Sequence, residues 1–341
     1  MDSKKILILG VTASGKGRMA FELAKNMGAE IISIDSMKVY RRMDIGTAKP
    51  PKEARKHIRY HLIDVVEPSE SFSVGTFLKM AYDTIEQIAN HNKPIIAVGG
   101  TALYIKALLY GLFEGPAADQ QLRAKLKKHA ETEGLISLYQ ELTKIDPVLA
   151  ERISPNDAKR IIRALEVYQL TGKPISSFQK QWWAEDRGQI ENDRRGTREE
   201  GRGTLYLAPQ FIGGVSGAKG HNWTIIGLRR EKAEENKRIN ARVKKMIDAG
   251  LVDEVKSLLA EEKPMSPQAQ SAISYAEIID YLDGRCNLEE TVELIKRNTR
   301  RLAKHQRTWF KTFRNVNWID IKADEPAEEI LSKVTTLVKA L

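Results

Sequence analysis

The chain has 341 residues, of which 42% are hydrophobic, so it can bury a sizeable core in one large domain or two ordinary ones. Its 55 Lys and Arg residues outnumber 45 Asp and Glu residues, and the net charge of +10 fits either a polyanionic partner or a solvated basic surface. A single cysteine, Cys286, excludes a disulfide framework or a cysteine zinc site within one chain, and no apolar run resembles a signal peptide or a membrane span. We therefore expect a soluble, cytoplasmic protein with no membrane attachment.

The first part of the chain alternates short apolar runs with helical patterns. Runs at residues 5–9, 30–35 and 94–98 predict strands buried on both faces, and a helical pattern follows the first of them. Strands that alternate with helices predict an α/β fold, in which crossover helices join the strands of a parallel sheet. We assign residues 1–118 to the first part of this core.

The remaining chain divides into three segments of different character. Helical spacing of apolar residues predicts a mainly helical insertion domain at residues 119–178. Residues 179–220 are dominated by Gln, Gly, Arg and Glu, which predicts a flexible segment. The core resumes at residues 221–341, with a strand at 223–228 and three helices at 231–249, 251–261 and 287–311.

The first predicted strand leads into a segment that fits the pattern Gly-x-x-x-x-Gly-Lys-Ser/Thr at every position but the last. The glycines let backbone N–H groups surround phosphate oxygens, and the helix that follows presents its positive N-terminus. This predicts a P-loop NTPase-like sheet, in which Lys16 reaches a terminal phosphate. The predicted phosphate-binding residues are Gly10, Val11, Thr12, Ala13, Ser14, Gly15, Lys16 and Gly17.

Gly17 stands where the pattern has a Ser or Thr hydroxyl that binds Mg²⁺. Mg²⁺ is the cofactor expected at such a loop, but glycine has no side chain to hold it. Thr12 or Ser14 could supply the missing oxygen, or the ion could keep an additional water. The sequence therefore leaves the metal ligands open.

Several longer motifs resemble those of the tRNA dimethylallyltransferases, the isopentenyl-tRNA (IPP) transferase family, in its bacterial form. Residues 10–16 resemble the family's loop Gly-Pro-Thr-Ala-Ser-Gly-Lys, and residues 35–40 with 43–50 look like its second signature. The match continues at residues 61–64, 98–104, 156–166, 238–242 and 299–309. The similarity runs from residue 5 to residue 315, with an interruption at residues 179–220.

The resemblance implies transfer of a dimethylallyl group from dimethylallyl diphosphate to N6 of adenosine 37 in a tRNA anticodon loop. Asp35 would be the general base for the adenine amine, a poor nucleophile that must lose a proton; it could instead cap its strand or sit near a metal. The resemblance also implies that the departing diphosphate is stabilised by Lys16, Thr101, Mg²⁺ and an arginine, with Arg242 preferred to Arg238.

The expected partner is thus a tRNA anticodon stem-loop, bound by a monomeric enzyme. From Lys296 to Arg314 the chain has eight Lys or Arg residues, no acidic residue and three aromatic ones, Trp309, Phe310 and Phe313. This pattern predicts either phosphate contact with base stacking, or a solvated basic face above a core. The resemblance adds the regions that contact tRNA in the family. Together with the basic run, they give the predicted RNA contacts Asp35, Ser36, Met37, Lys38, Thr101, Arg123, Lys159, Arg160, Ile161, Ile162, Arg163, Arg300 and Lys304.

Four positions depart from the family pattern. They are Gly17, Lys38 where Gln is common, Ser274 where Gly is usual, and His305 in place of Arg. These departures leave open a diverged, non-catalytic tRNA-binding paralogue. A P-loop kinase of a small metabolite and an enzyme that modifies free AMP are further alternatives; Gly17 argues against the kinase, and the basic C-terminal helix favours tRNA over a mononucleotide.

Overall fold

The computed structural model describes residues 4–112, 115–178 and 222–340. The chain divides into two units, one formed by Met1–Leu109 with Gly220–Leu341 and the other by Tyr110–Lys219, here named the core unit and the helical unit. The division after residue 109 comes earlier than the boundary expected at residue 118. The segment predicted to be flexible, 179–220, lies outside the described residues.

A parallel sheet of six strands, counted over the described residues, forms the centre of the core unit. The strands are β1 (Lys5–Gly10), β2 (Glu30–Ile34), β3 (Tyr60–His61), β4 (Ile95–Gly99), β5 (Thr224–Arg230) and β6 (Val316–Ile321). Their order is β3-β2-β4-β1-β5-β6. The predicted α/β fold is therefore confirmed, and the buried run of β1 lies between β4 and β5 because it has no polar face to expose.

Helices connect the strands and build the helical unit. In chain order the described helices are α1 (Lys16–Met27), α2 (Lys52–His57), α3 (Val74–Asn90), α4 (Ala102–Tyr110), α5 (Gln120–Thr132), α6 (Leu135–Ile145), α7 (Pro147–Ala150), α8 (Ala158–Thr171), α9 (Ile175–Phe178), α10 (Lys232–Asp248), α11 (Leu251–Leu259), α12 (Pro267–Gln270), α13 (Tyr275–Leu282), α14 (Leu288–Phe310) and α15 (Ala327–Ala340). The three helices expected after β5 are present as α10, α11 and α14. Strands β3 and β6 and the last helix, α15, were not predicted.

Each unit has its own hydrophobic core. In the core unit, Ile6 and Ile8 of β1 pack with Leu23 of α1 and Val334 of α15. In the helical unit, buried apolar residues of α5, α6 and α8 form a separate cluster that includes Leu138. None of the described helices is both long and apolar enough to span a bilayer.

The sheet brings three predicted site segments to one edge. Strands β2, β4 and β1 are neighbours, and Gly99 at the end of β4 pairs in register with both Leu9 and Ile34. The carboxyl ends of parallel strands are where α/β sheets bind their ligands. The phosphate loop, Asp35 and Thr101 follow these three ends directly.

Candidate active site

The phosphate loop turns sharply between β1 and α1. Gly15 is the N-cap of α1 with φ +99°, a left-handed conformation that glycine adopts without the strain of a side chain. Ala13 has φ +64°. Lys16 begins the helix, and its Nζ donates to the Val11 carbonyl at 3.1 Å, so the lysine head lies against the loop. This is the strand-loop-helix arrangement that the spacing predicts.

Three arginines from the second part of the chain hold the loop in shape. Arg230 of β5 donates to the Ser14 carbonyl at 3.1 Å. Arg238 and Arg242, one turn apart on α10, donate to the Ala13 carbonyl and to Thr12 Oγ1, each at 2.9 Å. Arg238 and Arg242 were the candidates from the sequence, whereas Arg230 was missed because a single arginine at the end of a strand carries no signal by itself.

A buried glutamine ties the loop to β4. Gln306 of α14 accepts the Thr12 N–H at 2.8 Å and donates from Nε2 to the Gly100 carbonyl at 2.9 Å. A Cβ at Gly100 would lie 2.5 Å from Gln306 Nε2, so only glycine allows this approach. Within the basic run, Gln306 thus serves the shape of the site. Its role was not predicted, because the charge pattern of the run concerns only its basic residues.

Asp35 and Thr101 lie on neighbouring strand ends. Asp35 Oδ1 accepts the N–H groups of Met37 at 2.9 Å and Lys38 at 3.2 Å, which fixes the carboxylate at the end of β2. Thr101 Oγ1 accepts the Ser36 N–H at 3.1 Å. The structure therefore brings Asp35, Ser36 and Thr101 together, as the motifs predict. These hydrogen bonds engage Asp35 Oδ1 and leave Oδ2 open to a ligand.

Two cavities of the core unit meet at Asp35. The first, of about 500 Å³, is lined by the phosphate loop with Lys38 and Arg238. The second, of about 270 Å³, is lined by Met37 and by Thr299 of the basic helix α14. The residues that line both are Thr12, Asp35, Thr47, Ala48 and Arg242. One carboxylate thus faces two spaces, one of which carries an anion-binding loop.

The first cavity is strongly basic. Of the described residues that line it, six are basic and one, Asp35, is acidic. Burial, together with the charges of Arg242 and Lys38, lowers the pKa of Lys16 to about 7. Burial also lowers the pKa of Lys38 and of Arg242, and in both cases Asp35 opposes the shift. An anionic ligand among these cations would favour their charged forms and so oppose the lowering of their pKa values.

The loop at residues 44–49, which contributes Thr47 and Ala48 to the lining of both cavities, is held by contacts that the sequence analysis did not predict. Glu254 of α11 accepts the N–H groups of Asp44 and Ile45 at 2.9 and 2.8 Å, and its other oxygen accepts the Tyr275 hydroxyl at 2.5 Å. The buried Lys49 donates to Asp44 Oδ1 and to Asp64 Oδ1 at 2.6 Å each. These contacts position Thr47 and Ala48 at the junction.

Comparison with known proteins decides the family. The family model described as IPP transferase matches residues 38–313. The chain belongs to the IPP transferase family. It is 41% identical to tRNA dimethylallyltransferase 2 of Geotalea uraniireducens, with 93% of this chain and 92% of the relative covered. It is 40% identical to the tRNA dimethylallyltransferase of Acetivibrio thermocellus, with 96% and 95% covered.

Solved structures of IPP transferases share the fold. The full-length tRNA isopentenylpyrophosphate transferase of Bacillus halodurans superposes with a TM-score of 0.65 at 36% identity, covering 99% of this chain and 97% of that one. A eukaryotic dimethylallyltransferase acting on tRNA, at 23% identity, gives a TM-score of 0.71 over 99% of this chain and 80% of its own. At 23% identity, the similarity to the eukaryotic enzyme supports only the shared fold.

The IPP transferase resemblance implies a Mg²⁺ ion, but the described loop residues do not fit one held by side chains. Gly17 offers no ligand, although a Cβ there would meet open space. Thr12 Oγ1 already accepts from the Arg242 guanidinium, and the buried Ser14 Oγ accepts the Lys16 N–H at 3.4 Å. Across the described ranges, no group of three or more His, Cys, Asp or Glu side chains is placed to hold a metal. The Mg²⁺ assignment stays a prediction.

In the helical unit, the predicted RNA contacts fall into two kinds. Arg123 and Arg163 both bind the fully buried Glu166, Arg123 through two bonds at 2.8 and 2.9 Å and Arg163 at 2.5 Å. Lys159 and Arg160 are exposed. Ile161 is fully buried and Ile162 is 7% exposed, because both face the unit's core. Side-chain contact of these two isoleucines with RNA is therefore excluded in this conformation, and the four basic residues stay predictions.

The basic run on α14 is partly committed to the fold of this IPP transferase. Arg300 donates to Asn240 of α10 at 2.7 Å, whereas Lys304 is exposed. Phe310 and Phe313 are 2% and 7% exposed and pack against each other, and Lys106 lies 5.0 Å from the Trp309 ring. Of the two alternatives, the burial of Phe310 at the end of α14 and of Phe313 just after it favours aromatic rings that belong to the core over rings that stack on bases.

Ser274 is strained where the family usually has glycine. Its φ is +82° and it is 3% exposed, at the N-cap of α13. The Ser274 N–H donates to Glu277 Oε2 at 2.7 Å, so the turn is held despite the side chain. Ser274 also lines the second cavity.

Proposed function

We infer that this protein transfers a dimethylallyl group from dimethylallyl diphosphate to N6 of adenosine 37 in tRNA anticodon loops. The products are N6-isopentenyladenosine and diphosphate. The observation that carries this inference is the position of Asp35, whose carboxylate lines both a basic cavity with a phosphate loop and a second cavity beside α14. The names of the relatives agree with this reaction.

The chemistry is a substitution at the allylic carbon of the donor. The adenine N6 amine attacks that carbon, the carbon–oxygen bond to the diphosphate breaks, and the oxygen keeps the electron pair. Asp35 takes a proton from the amine as the carbon–nitrogen bond forms. Lys16 and Arg242 face the charge that develops on the leaving diphosphate. Thr101 Oγ1 accepts the Ser36 N–H and so helps to orient the Asp35 turn, while its contact with the departing diphosphate stays a prediction.

A target adenine must leave its stack to reach Asp35. Unpaired anticodon bases can be splayed out at modest energetic cost, which suits a loop nucleotide better than a paired one. Donor and base then enter through different cavities and meet at one carboxylate. We propose that the enzyme acts as a monomer in the cytoplasm. Residues of the core unit line both cavities, and the helical unit is expected to add contacts to the tRNA.

Incubation with labelled dimethylallyl diphosphate and bulk tRNA tests the proposal, followed by nuclease digestion and chromatography of the nucleosides. We expect label in N6-isopentenyladenosine from tRNA and none in free AMP. Label in AMP alone would point to a mononucleotide prenyltransferase. Binding of tRNA without release of diphosphate would point to a non-catalytic paralogue, and phosphoryl transfer from ATP to a kinase.

A further inference from the structure

Two departures from the phosphate-loop and family patterns lie in the same cavity. Gly17 removes the hydroxyl that would hold a divalent cation, and Lys38 places an ammonium group where an uncharged amide is common. Both line the first cavity with Lys16 and Arg242. Gly17 thus removes a ligand for a metal cation, and Lys38 adds a positively charged side chain.

The remaining loop oxygens are poor substitutes for the missing ligand. Thr12 Oγ1 is 2.9 Å from an Arg242 guanidinium nitrogen, and a dication at that oxygen would stand beside a fixed positive charge. Ser14 is fully buried, with its Oγ turned to the Lys16 N–H. The carboxylate in the cavity, Asp35, already accepts two backbone N–H groups through Oδ1.

Lys38 is placed to act on the ligand of this cavity. Its backbone N–H donates to Asp35 Oδ1 at 3.2 Å, which fixes the start of its side chain beside the phosphate loop. Its charge is one of the causes that lower the pKa of Lys16, and the charges of Asp35 and Arg242 act in turn on the pKa of Lys38. An ammonium in this position can contact a diphosphate oxygen as a point charge.

We propose that Lys38 supplies the positive charge that an ion held at position 17 would otherwise supply, so that this enzyme binds an organic diphosphate without a divalent metal ion. The cavity then neutralises its ligand with basic side chains alone, among them Lys16, Lys38, Arg238 and Arg242. The inference rests on the proposed function only in taking the diphosphate of the donor as the ligand.

Calorimetric titration with inorganic diphosphate, in EDTA and in excess Mg²⁺, tests the proposal. Wild-type affinity in EDTA should lie within about threefold of that in Mg²⁺. Lys38→Gln should lose affinity in EDTA by about ten- to a hundredfold, the range expected for a charge-assisted hydrogen bond. Lys38→Arg keeps the charge and should bind within about fivefold of wild type. Lys25→Gln, an exposed lysine in the last turn of α1, is the matched control and should not change the affinity.

A double variant sharpens the result. In the Lys38→Gln background, Gly17→Ser should make binding depend on Mg²⁺, because a hydroxyl at position 17 has open space around it. Wild-type binding that collapses in EDTA, or Lys38→Gln binding equal to wild type in EDTA, would overturn the proposal.

Measuring tRNA prenylation in Mg²⁺ separates this inference from the proposed function. Protein that prenylates tRNA in Mg²⁺ but binds no diphosphate in EDTA would keep the function and overturn the inference. Protein that binds diphosphate in EDTA but never modifies tRNA would support the inference and overturn the function.

Discussion

The first cavity of the core unit and the α5–α8 region of the helical unit both gather basic side chains, but they differ in what faces them. In the cavity, Lys16, Lys38 and Arg242 surround one carboxylate, that of Asp35, which is also committed to a turn. In the helical unit, Arg123 and Arg163 share a fully buried Glu166.

The pKa shifts of the charged groups in the two regions differ in their causes. In the cavity, burial and neighbouring cations lower the pKa of the lysines. At Glu166, burial alone would raise the pKa, but hydrogen bonds from Arg123 and Arg163 lower it. Basic residues that a carboxylate compensates serve the fold, whereas those left facing each other are organised for an anionic ligand.

The largest expected effect tests the carboxylate of the cavity. Asp35→Ala should lower the rate of transfer to tRNA by about 10²–10⁴-fold, the usual contribution of a positioned general base. Diphosphate should bind at least as well as to wild type, because a negative charge has left the cavity. Single-turnover kinetics and calorimetry measure the two quantities. A rate within a few-fold of wild type would exclude Asp35 as the base.

The next largest effect concerns Arg123 and Arg163 of the helical unit, whose charges are compensated by Glu166. Glu166→Gln leaves Arg123 and Arg163 without their carboxylate and should lower the free energy of unfolding by about 2 kcal/mol, less than for a fully buried pair because both arginines are partly exposed. Glu131→Gln, at an exposed position on α5, is the control.

The pH dependence of that loss has a definite sign. The folded-state pKa of Glu166 lies below its ordinary value, so its stabilisation is present above the ordinary glutamate range and is lost as the pH falls through the folded-state pKa. Urea denaturation should show the wild type and Glu166→Gln converging at low pH. A constant difference between them down to acid pH would contradict the role of the charge.

A smaller effect concerns Lys16 of the phosphate loop, whose pKa is lowered by burial and by neighbouring cations. With a pKa of about 7, Lys16 is largely neutral above that pH in the free protein, and a bound diphosphate should raise its pKa. Diphosphate binding at pH 8.5 should therefore take up protons, and affinity should fall by up to about tenfold per pH unit above 7. Calorimetry in buffers of different ionisation enthalpy measures this uptake.

Lys16→Arg separates this uptake from the protonation of the ligand itself. Its guanidinium stays charged, so the part of the proton uptake that belongs to Lys16 should disappear while the ligand's own contribution remains. Equal uptake by both proteins would show that Lys16 does not titrate on binding.

The smallest effect concerns backbone strain, where charge plays no part. Ser274→Gly should raise the free energy of unfolding by about 1 kcal/mol, since a positive φ costs a serine more than a glycine. Ser271→Gly, at φ −78° a few residues earlier, should instead be destabilising. Thermal melts of the two variants compare them directly. A loss of stability in Ser274→Gly would show that the side chain contributes more than the strain costs.

The sequence predicts those parts of the site that depend on neighbouring residues. The run Ile6–Leu9 and the spacing from Gly10 to Lys16 predict a buried strand and a phosphate loop, because local pattern and backbone geometry determine both. Family motifs added Asp35 and Thr101, and the parallel sheet explains why they lie close to the loop.

Contacts between distant segments could not be predicted in this way. The bonds from Arg230 and Gln306 to the phosphate loop join parts of the chain far apart in sequence. Nor does the sequence show that one buried glutamate lies beneath both Arg123 and Arg163. A run of charge says how many basic residues a surface offers, but burial decides which of them are free to bind a partner.

The central claim is that an adenine amine and a diphosphate donor meet at Asp35, and a pair of RNA substrates tests it most directly. One anticodon stem-loop carries adenine at position 37, and the other carries purine, which lacks the exocyclic amine. Diphosphate release from labelled dimethylallyl diphosphate is followed in a single turnover with each RNA. We predict release of diphosphate, with label transferred to RNA, only with the adenine stem-loop. Equal release with the purine stem-loop, or with no RNA at all, would contradict it.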